Sequence, residues 1–320
     1  MTGLRIEQLT VQYGHGPSLV RAVDRVSLDV PTGGTLGLVG ESGCGKSTLA
    51  RAIVGLAPVV SGSVRVDGID CSSQRARDSR SFRRRVQMVF QDPYSSLNPR
   101  MTISDTLGEA LKLGGRERYV TRSTDEEAKR LLGLVGLSSS AMRRYPHQFS
   151  GGQRQRIAIA RALAVKPQIV ITDEITSALD VSSQATILNL LRELQRELGL
   201  SYLFISHDLS VIRHVCDRVA VMYLGRVVED ADADALFSRP LHPYTQALLK
   251  AVPRLTDSRE ALILEGEIPD PLFPPRGCRF HPRCPIGPAH RTDRSICQDE
   301  DPQIAASSRQ HLAACHFVEA

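Results

Sequence analysis

The sequence predicts an α/β protein with a mostly parallel sheet. Two groups of apolar strand-like runs alternate with stretches of helical periodicity, which is typical of strands joined by crossover helices. A block with helical periods and no convincing strand, from Ile103 to Leu163, separates the two groups. The 320 residues are 42% hydrophobic and 23% charged, an ordinary composition for a globular protein that buries a sizeable core.

The first part of the chain reads as short strands joined by turns, and we expect it to form an antiparallel β region. The predicted strands are Leu4–Val11, Val26–Val30, Thr35–Val39 and Ser63–Val66, the last of which an Asp67-Gly68 turn closes. Apolar residues at helical spacing predict a helix that begins near Lys46 and runs through Leu49, Ile53 and Leu56.

The later elements alternate between strands and helices. A strand at Val86–Phe90 precedes the turn-rich letters DPYSSLNP and the helical block. Further strands are predicted at Ile169–Thr172, Tyr202–Ser206 and Arg218–Tyr223, and helices at Ser182–Leu198 and Leu209–Asp217. We therefore predict a main domain at 1–255 with an inserted helical subdomain at about 92–165. Residues 256–320, rich in Pro, Cys and His, form a C-terminal tail with little periodic structure.

Composition excludes several classes of protein. The aliphatic content argues against intrinsic disorder, and no apolar run approaches the 18 residues that a membrane-spanning helix needs. The first residues alternate like a strand and do not resemble a secretory signal. Seven cysteines without an export signal indicate a reducing cytosol, where disulfides are not expected. The net charge of +5 is too small to indicate nucleic-acid binding by itself.

Residues 40–47 match the phosphate-loop pattern G-x-x-x-x-G-K-[ST] between a predicted strand and a predicted helix, which identifies a P-loop NTPase core. Its glycines let successive backbone N–H groups face a phosphate, while Lys46 supplies positive charge and the Ser47 hydroxyl suits Mg²⁺. The predicted ATP-binding residues of this segment are Gly40, Glu41, Ser42, Gly43, Cys44, Gly45, Lys46, Ser47 and Thr48.

A second candidate site follows the strand Ile169–Thr172, where Asp173 and Glu174 stand side by side. Asp173 is placed to hold Mg²⁺, and Glu174 points elsewhere and is a candidate general base for an attacking water. A solvated acidic pair at a strand end is the alternative interpretation of these two residues alone.

The segment Phe149-Ser150-Gly151-Gly152-Gln153 resembles the LSGGQ signature of the ATP-binding cassette (ABC) ATPases, with Phe in place of Leu. In physical terms, a Ser N-cap and two glycines that open a helix present bare N–H groups to an anion. Ser150, Gly151, Gly152 and Gln153 are therefore predicted to contact ATP. The resemblance covers roughly residues 4–320.

The same resemblance assigns further residues. Gln91 is similar to the Q-loop glutamine, which contacts Mg²⁺ or water and links the ATP site to the membrane partner, and His207 is similar to the switch histidine at the γ-phosphate. Ser177 to Asp180 resemble the D-loop, so Asp180 is predicted at the nucleotide interface. Tyr13 is either the aromatic residue that stacks on adenine or an ordinary tyrosine at a strand edge.

These assignments make Glu174, His207 and Gln91 the predicted catalytic residues, and Ser47, Gln91 and Asp173 the predicted Mg²⁺ ligands. One departure is that Ile175 stands where the family usually has Pro after the D-E pair. A proline there would fix φ, and its absence could loosen the path of Glu174. Every side chain with a chemical role is present, so we expect an active ATPase.

The resemblance also implies partners. In this family two cassettes bind ATP head to tail, so the chain must pair with a second copy or with a sister ATPase. The stretches 91–99, 145–148, 242–245 and 277–284 are similar to oligopeptide/dipeptide importer ATPases, close relatives of which serve nickel uptake. We therefore expect two permease subunits and an extracytoplasmic substrate-binding protein as partners, and a location at the cytoplasmic face of the membrane. The expected solute is a peptide, and nickel or another small solute is the alternative.

The tail contains Cys278, Cys284, Cys297 and Cys315 among several histidines, at spacings that match no standard zinc or ferredoxin pattern. Some importer ATPases that resemble this chain carry a [4Fe-4S] cluster on such a tail, so an iron–sulfur cluster is the hypothesis. Zinc binding and unligated thiols are the alternatives.

The basic run between Arg75 and Arg85 is either a solvated helix face or a nucleic-acid patch. We expect the solvated face, and therefore no nucleic-acid partner. A soluble ABC ATPase that acts on nucleic acid remains the alternative from another functional class.

Overall fold

The computed structural model describes residues 2–92, 96–114, 123–251, 266–308 and 311–318. The predicted domain boundary at 255/256 and three residues of the turn-rich segment, 93–95, lie outside the described residues. The strands are Thr2–Tyr13 (β1), Val20–Pro31 (β2), Thr35–Val39 (β3), Ser61–Val66 (β4), Ile69–Asp70 (β5), Val86–Val89 (β6), Ile169–Asp173 (β7), Ser201–Ile205 (β8), Arg218–Tyr223 (β9), Arg226–Asp232 (β10), Ala305–Ser308 (β11) and His311–Ala313 (β12).

The helices of the described residues lie between these strands and over the sheet faces. They are Lys46–Ile53 (α1), Gln74–Arg77 (α2), Arg80–Arg85 (α3), Ile103–Gly114 (α4), Thr124–Leu134 (α5), Gly151–Leu163 (α6), Val181–Leu198 (α7), Leu209–Val215 (α8), Ala233–Ser238 (α9), Pro243–Lys250 (α10) and Ile296–Asp299 (α11). Short 3-10 turns occur as well, among them His281–Arg283 and Thr292–Arg294.

The strands form two sheets. The N-terminal sheet has the order β2-β1-β4-β5, and its neighbours pair antiparallel. The second sheet has the order β11-β12-β10-β9-β3-β8-β7-β6, in which β9, β3, β8, β7 and β6 run parallel. The predicted α/β class, with a mostly parallel sheet and an antiparallel N-terminal part, is confirmed.

The parallel register brings the functional segments to one edge of the second sheet. Leu38 near the end of β3 and Asp173 at the end of β7 both pair with Ile205 at the end of β8. Open parallel sheets bind ligands at the carboxyl ends of their strands. The loops that follow β3, β7 and β8 therefore share one site.

Alternate residues of the central strands pack on opposite faces of this sheet. In β7, Ile169 and Ile171 join the core under the antiparallel sheet and α1, whereas Val170 joins the core formed with the helices α4 to α7. Each buried Leu, Ile or Val side chain contributes about 1.5–3 kcal/mol relative to an exposed one. Burial on both faces explains why these strands read as continuous apolar runs.

Several element bounds differ from the prediction. The helix α1 ends at Ile53 and does not reach Leu56, because Gly55 takes a positive φ of 81° and Leu56 is 63% exposed. The strand β10 went unpredicted, since its RVVEDAD letters look solvent-facing. Its Glu229 is nevertheless fully buried and accepts a hydrogen bond from the His311 ring.

The tail contains more regular structure than the sequence predicted. The strand β12 pairs antiparallel with β10 and β11 pairs with β12, so the tail extends the central sheet. The Phe280 side chain is 1% exposed and belongs to the same hydrophobic core as Val170. The signal was weak because the strands have only three or four residues and the packing is set by partners distant in sequence.

Some arginines of the basic run between Arg75 and Arg85 form hydrogen bonds and ion pairs within the protein. Arg77 is buried and donates to the carbonyl oxygen of Cys71, and Arg83 pairs with Asp78 at 2.9 Å.

Among the described residues, no helix has the length and apolar character needed to cross a membrane.

Candidate functional site

The loop 40–47 connects β3 to α1 and depends on glycines with positive φ. Gly40 has a φ of 153° and Gly45 a φ of 108°. A Cβ atom at Gly40 would stand 2.1 Å from the carbonyl oxygen of Met222, and one at Gly45 would stand 2.1 Å from that of Ala22. Both positions therefore require glycine for space as well as for conformation.

The ammonium group of Lys46 lies over this loop. Its Nζ donates to the carbonyl oxygens of Gly40 at 2.8 Å and Glu41 at 2.9 Å, and the side chain is almost fully buried. Lys46 is also the first residue of α1, whose N-terminal N–H groups carry partial positive charge. The loop thus concentrates positive potential where a phosphate chain would lie.

Ser47 and Asp173 join the loop to the end of β7. The Ser47 Oγ donates a hydrogen bond of 2.8 Å to Oδ1 of Asp173. Burial raises the pKa of the Asp173 carboxyl, and the Ser47 hydrogen bond lowers it in part. A hydroxyl and a buried carboxylate side by side form an oxygen donor set that fits Mg²⁺.

Glu174 lies beside Asp173 but contacts different groups. Its Oε2 accepts a hydrogen bond of 3.2 Å from Nε2 of Gln91 and stands 3.3 Å from Nδ1 of His207. Glu174 has a φ of 48°, and its N–H donates to the carbonyl oxygen of Ile205. The three residues predicted to be catalytic therefore meet at one carboxylate oxygen.

Ile175, where the family usually has Pro, is 2% exposed and packs in the main core. The adjacent carboxylate of Glu174 keeps the contacts described above. A proline at this position would restrict the backbone after Glu174 by fixing φ. In this chain the buried Ile175 side chain holds the same segment in place by packing in the core.

Ser150 caps the helix α6. Its Oγ accepts a hydrogen bond from the N–H of Gln153, while the Gln153 side chain accepts one from the N–H of Ser150. This reciprocal pair is a capping box. A Cβ on Gly151 would meet Leu179 at 3.4 Å, and one on Gly152 would meet Ser183 at 3.3 Å. The signature segment therefore packs against the segment that opens α7.

Asp180 is the N-cap of α7. Its carboxylate accepts from the Ser182 hydroxyl and from both the N–H and the hydroxyl of Ser183, and these bonds hold its pKa far below the usual range. A structural role as a cap thus accompanies the interface role expected from the resemblance.

Tyr13 closes β1, where it pairs with Val20 of β2 and is 42% exposed. An exposed ring can stack on a flat ligand, and a strand edge also suits a tyrosine. The two interpretations of Tyr13 therefore stay open.

Two residues beside the loop were not predicted as site residues, although both lie in the stretches 242–245 and 277–284 that resemble importer ATPases. The N–H of Glu41 donates to Oη of Tyr244 at 2.9 Å. Arg283 of the tail pairs with the Glu41 carboxylate at 2.8 Å. Both come from the C-terminal half of the chain, so no spacing rule connects them to the phosphate loop.

The four tail cysteines lie around one small cavity, together with Phe280, Ile286 and Phe317 and other residues. Burial raises the pKa of the Cys278 thiol to about 12 and that of the Cys284 thiol to about 11. Across the described ranges, no group of three or more His, Cys, Asp or Glu side chains is arranged to hold a metal ion. The thiols share a cavity without forming a coordination shell.

Comparison with known proteins adds family information. Residues 23–177 match the family described as "ABC transporter", and residues 228–290 match "Oligopeptide/dipeptide transporter, C-terminal region". A probable peptide ABC transporter ATP-binding protein of Sinorhizobium fredii is 50% identical over 98% of this chain and 89% of its own length. The oligopeptide transport ATP-binding protein AppF of Bacillus subtilis is 49% identical over 93% and 90%. The di/tripeptide transport ATP-binding protein DppF of Pseudomonas aeruginosa is 47% identical over 95% and 92%.

The fold of this chain also resembles those of solved protein structures. The protein cbiO1 of Clostridium perfringens, part of the ABC transporter complex cbiONQ, aligns with a TM-score of 0.63 and 25% identity over 74% of this chain and 91% of its own. An ATP-binding cassette solved as a dimer in a post-hydrolysis state, with ADP and Pi, aligns with a TM-score of 0.61 and 29% identity over 72% and 98%.

Proposed function

The chain belongs to the ABC transporter family, as an ATP-binding subunit of the oligopeptide/dipeptide type, and on this basis we propose how its residues hydrolyse ATP to energise peptide uptake. The observation that carries the mechanism is the meeting of Gln91 and His207 at the Glu174 carboxylate, one residue after the Ser47–Asp173 pair. All of these groups lie at one edge of the central sheet.

The phosphate loop binds the triphosphate. Its inward N–H groups and the start of α1 compensate the negative charge, and Lys46 leaves the carbonyl oxygens of Gly40 and Glu41 to reach the phosphates. Ser47, Asp173 and Gln91 would hold Mg²⁺, which would supply positive charge against the charge that develops on the phosphate oxygens.

Glu174 acts as the general base. Its Oε2 orients a water for in-line attack on the γ-phosphorus and accepts a proton from it, which typically contributes a factor of about 10²–10⁴ in rate. Gln91 and His207 hold this oxygen in place by contacts of 3.2 and 3.3 Å. His207 is 58% exposed, so it is also free to reach the γ-phosphate.

Two such subunits form the working ATPase. In one subunit Ser150 caps α6, and the N–H groups of Gly151 and Gly152 in its first turn supply a second anion site for the ATP held by the phosphate loop of its partner. Asp180, Gly151 and Gly152 lie at the same surface, where α7 begins. The partner is a second copy or a sister ATPase, and ATP favours the closed pair because neither half surrounds the γ-phosphate alone.

The permease pair docks beside the Q-loop. A groove runs between β6 and α4, and Leu113 on its rim is 55% exposed. Gln91 lies two residues after the end of β6 and contacts Glu174, so a segment seated in the groove would be close to the catalytic carboxylate. Leu113→Asp is expected to reduce co-purification with the permeases, whereas Leu198→Asp, an exposed leucine on α7, serves as the matched control.

We infer that the subunit works at the cytoplasmic face of the membrane, with an extracytoplasmic binding protein that delivers peptides to the permeases. Its support is the match to the oligopeptide/dipeptide C-terminal region together with the named peptide-transport relatives. Nickel or another small solute would bind the same kind of assembly, so the solute is decided by the test below.

We further propose that the four tail cysteines hold an iron–sulfur cluster. Four cysteine thiolates are the usual ligands of [4Fe-4S] clusters, and here all four line one cavity. The donor set fits in chemistry, but the thiols do not stand in a coordinating arrangement, so no step is assigned to the cluster. Anaerobic purification followed by iron and acid-labile sulfide analysis tests this proposal. Zinc in stoichiometric amount, or metal-free protein, would contradict it.

The transport function is tested on the complete transporter in liposomes. We expect ATP hydrolysis that is stimulated by peptide-loaded binding protein and lost in Lys46→Ala, which removes the main positive charge from the phosphate loop. Stimulation by nickel and not by peptides would transfer the function to the alternative solute. Co-purification with nucleic acid instead of permeases would contradict the transporter assignment.

A further inference from the structure

The C-terminal tail contacts the phosphate loop through one ion pair. The guanidinium of Arg283 donates from Nη1 to Oε2 of Glu41 at 2.8 Å and from Nη2 to Oε1 at 3.0 Å. Such two-pronged pairs are the strongest of the charge-assisted hydrogen bonds and fix the orientation of both groups. The Arg283 side chain is only 5% exposed, so water screens this pair weakly.

Glu41 is held at its backbone as well as at its side chain. Its N–H donates to Oη of Tyr244 at 2.9 Å, and its carbonyl oxygen accepts from Nζ of Lys46 at 2.9 Å. The residue that supports the resting position of the phosphate-binding lysine is thus anchored by two groups from the last third of the chain. A shift of Arg283 would be transmitted to Lys46 through this one residue.

Arg283 is itself tightly placed. Its guanidinium stands 5.9 Å from the ring centroid of Tyr223 and donates weakly to the Tyr223 hydroxyl. Tyr223, Tyr244 and Phe280 form a buried cluster with ring centroids 4.7–5.3 Å apart. The N–H of Arg283 donates to the carbonyl oxygen of Phe280, so the turn and the aromatic cluster fix the arginine together.

The pair also solves an electrostatic problem. A carboxylate at the second position of a phosphate loop repels a triphosphate, and the repulsion is strong where solvent is partly excluded. Arg283 carries a permanent positive charge and neutralises the Glu41 carboxylate. The carboxylate can therefore stay in the loop without lowering its affinity for ATP.

We propose that Arg283, in the tail turn 278–284, is a positioning residue of the nucleotide site, which fixes and neutralises Glu41 so that ATP affinity depends on this one ion pair. This inference rests on the proposed role of the loop in binding ATP. By linkage, bound ATP stabilises the Arg283–Glu41 ion pair by the same factor by which the ion pair strengthens ATP binding.

The test is a double-mutant cycle on the complete transporter, with a fluorescent ATP analogue for Kd and steady-state hydrolysis for KM and kcat. For Arg283→Ala we expect Kd and KM to rise about tenfold, the effect of one uncompensated charge near the site, with kcat at saturating ATP within about twofold. Arg283→Lys should restore part of the affinity. In the Glu41→Gln background, Arg283→Ala should raise Kd less than about threefold, because no carboxylate is left to compensate.

Arg279→Ala is the matched control. Arg279 lies four residues earlier, is similarly buried, and pairs with Asp24 and the carbonyl oxygen of Leu224 and not with the loop. We expect it to lower the melting temperature while Kd for the analogue stays within about twofold. Equal losses of affinity in Arg279→Ala and Arg283→Ala, or no coupling in the cycle, would overturn the proposal. A wild-type transporter that fails to bind the analogue would instead overturn the proposed function.

Discussion

The hydroxyl of Ser47 donates a 2.8 Å hydrogen bond to the carboxylate of Asp173, 126 positions further along the chain. The contact joins the phosphate loop after β3 to the end of β7. It exists because β3 and β7 both flank β8 in the parallel sheet, which brings their carboxyl ends together. Two short motifs thereby become one oxygen-lined site.

Ser47→Ala should weaken the use of Mg²⁺. The substitution removes the Ser47 hydroxyl oxygen, one of the two predicted Mg²⁺ ligands joined by the hydrogen bond. We expect the Mg²⁺ concentration for half-maximal hydrolysis to rise about tenfold, because one charge-assisted contact is worth about 1.5 kcal/mol. A magnesium titration of steady-state ATPase activity measures this. Ser47→Thr keeps the hydroxyl and should stay near the wild type; an equal loss in both variants would contradict the ligand role.

Glu174→Gln should separate binding from chemistry. The amide keeps the size of the side chain and removes the base, so turnover should fall by at least about 10²-fold while ATP affinity stays near the wild-type value. Single-turnover hydrolysis and equilibrium binding of ATP are the two measurements. Glu193→Gln changes an exposed carboxylate on α7 and should leave both unchanged. Full turnover in Glu174→Gln would remove Glu174 from its role.

Ser150 variants should distinguish the helix cap from the nucleotide contact. Ser150→Ala loses the capping hydroxyl and should cost about 1 kcal/mol of unfolding free energy. Ser150→Asp keeps a good cap but adds a negative charge that opposes a γ-phosphate. We therefore expect Ser150→Asp to keep its melting temperature and to lose ATP-dependent pairing, as observed by size-exclusion chromatography in the Glu174→Gln background. Normal pairing of Ser150→Asp would show that the segment does not face the phosphate.

Asp24→Asn should destabilise the fold in a pH-dependent way. Asp24 is 3% exposed and pairs with Arg226 and Arg279, and although burial raises its pKa, the arginines outweigh burial and lower it below the usual 3.8. Removing one partner from such a buried network typically costs about 3 kcal/mol.

The sign follows from proton linkage. Since the folded-state pKa of Asp24 is lowered, its stabilising contribution is complete above about pH 4 and is lost as the pH falls through the folded-state value. Urea unfolding of the wild type and of Asp24→Asn at pH 7.0 and pH 3.5 should give a smaller difference at the lower pH. A difference that grows in acid would contradict this assignment.

Local patterns were enough to predict most of the fold and the motifs. The strand β3 was predicted with its observed bounds, and α7 to within one residue, because a buried apolar run and an amphipathic period are properties of adjacent letters. The phosphate loop and the Asp173-Glu174 pair were recognised for the same reason. By contrast, β10 and β12 were not predicted. Burial of the Glu229 carboxylate requires the hydrogen bond from His311 and the pairing of β10 with β12, and both depend on residues distant in sequence.

The sequence by itself determined which chemical groups are present and in what order, including a glycine loop that demands positive φ and a serine that caps its own helix. Only the tertiary structure decided which of these groups share an atom, such as Gln91 and His207 at one oxygen of Glu174, or Arg283 on a loop residue 242 positions away. The reason is physical: periodicity and capping act over a few residues, whereas the closure of a sheet and the burial of a charge depend on partners that the chain brings together only when it folds.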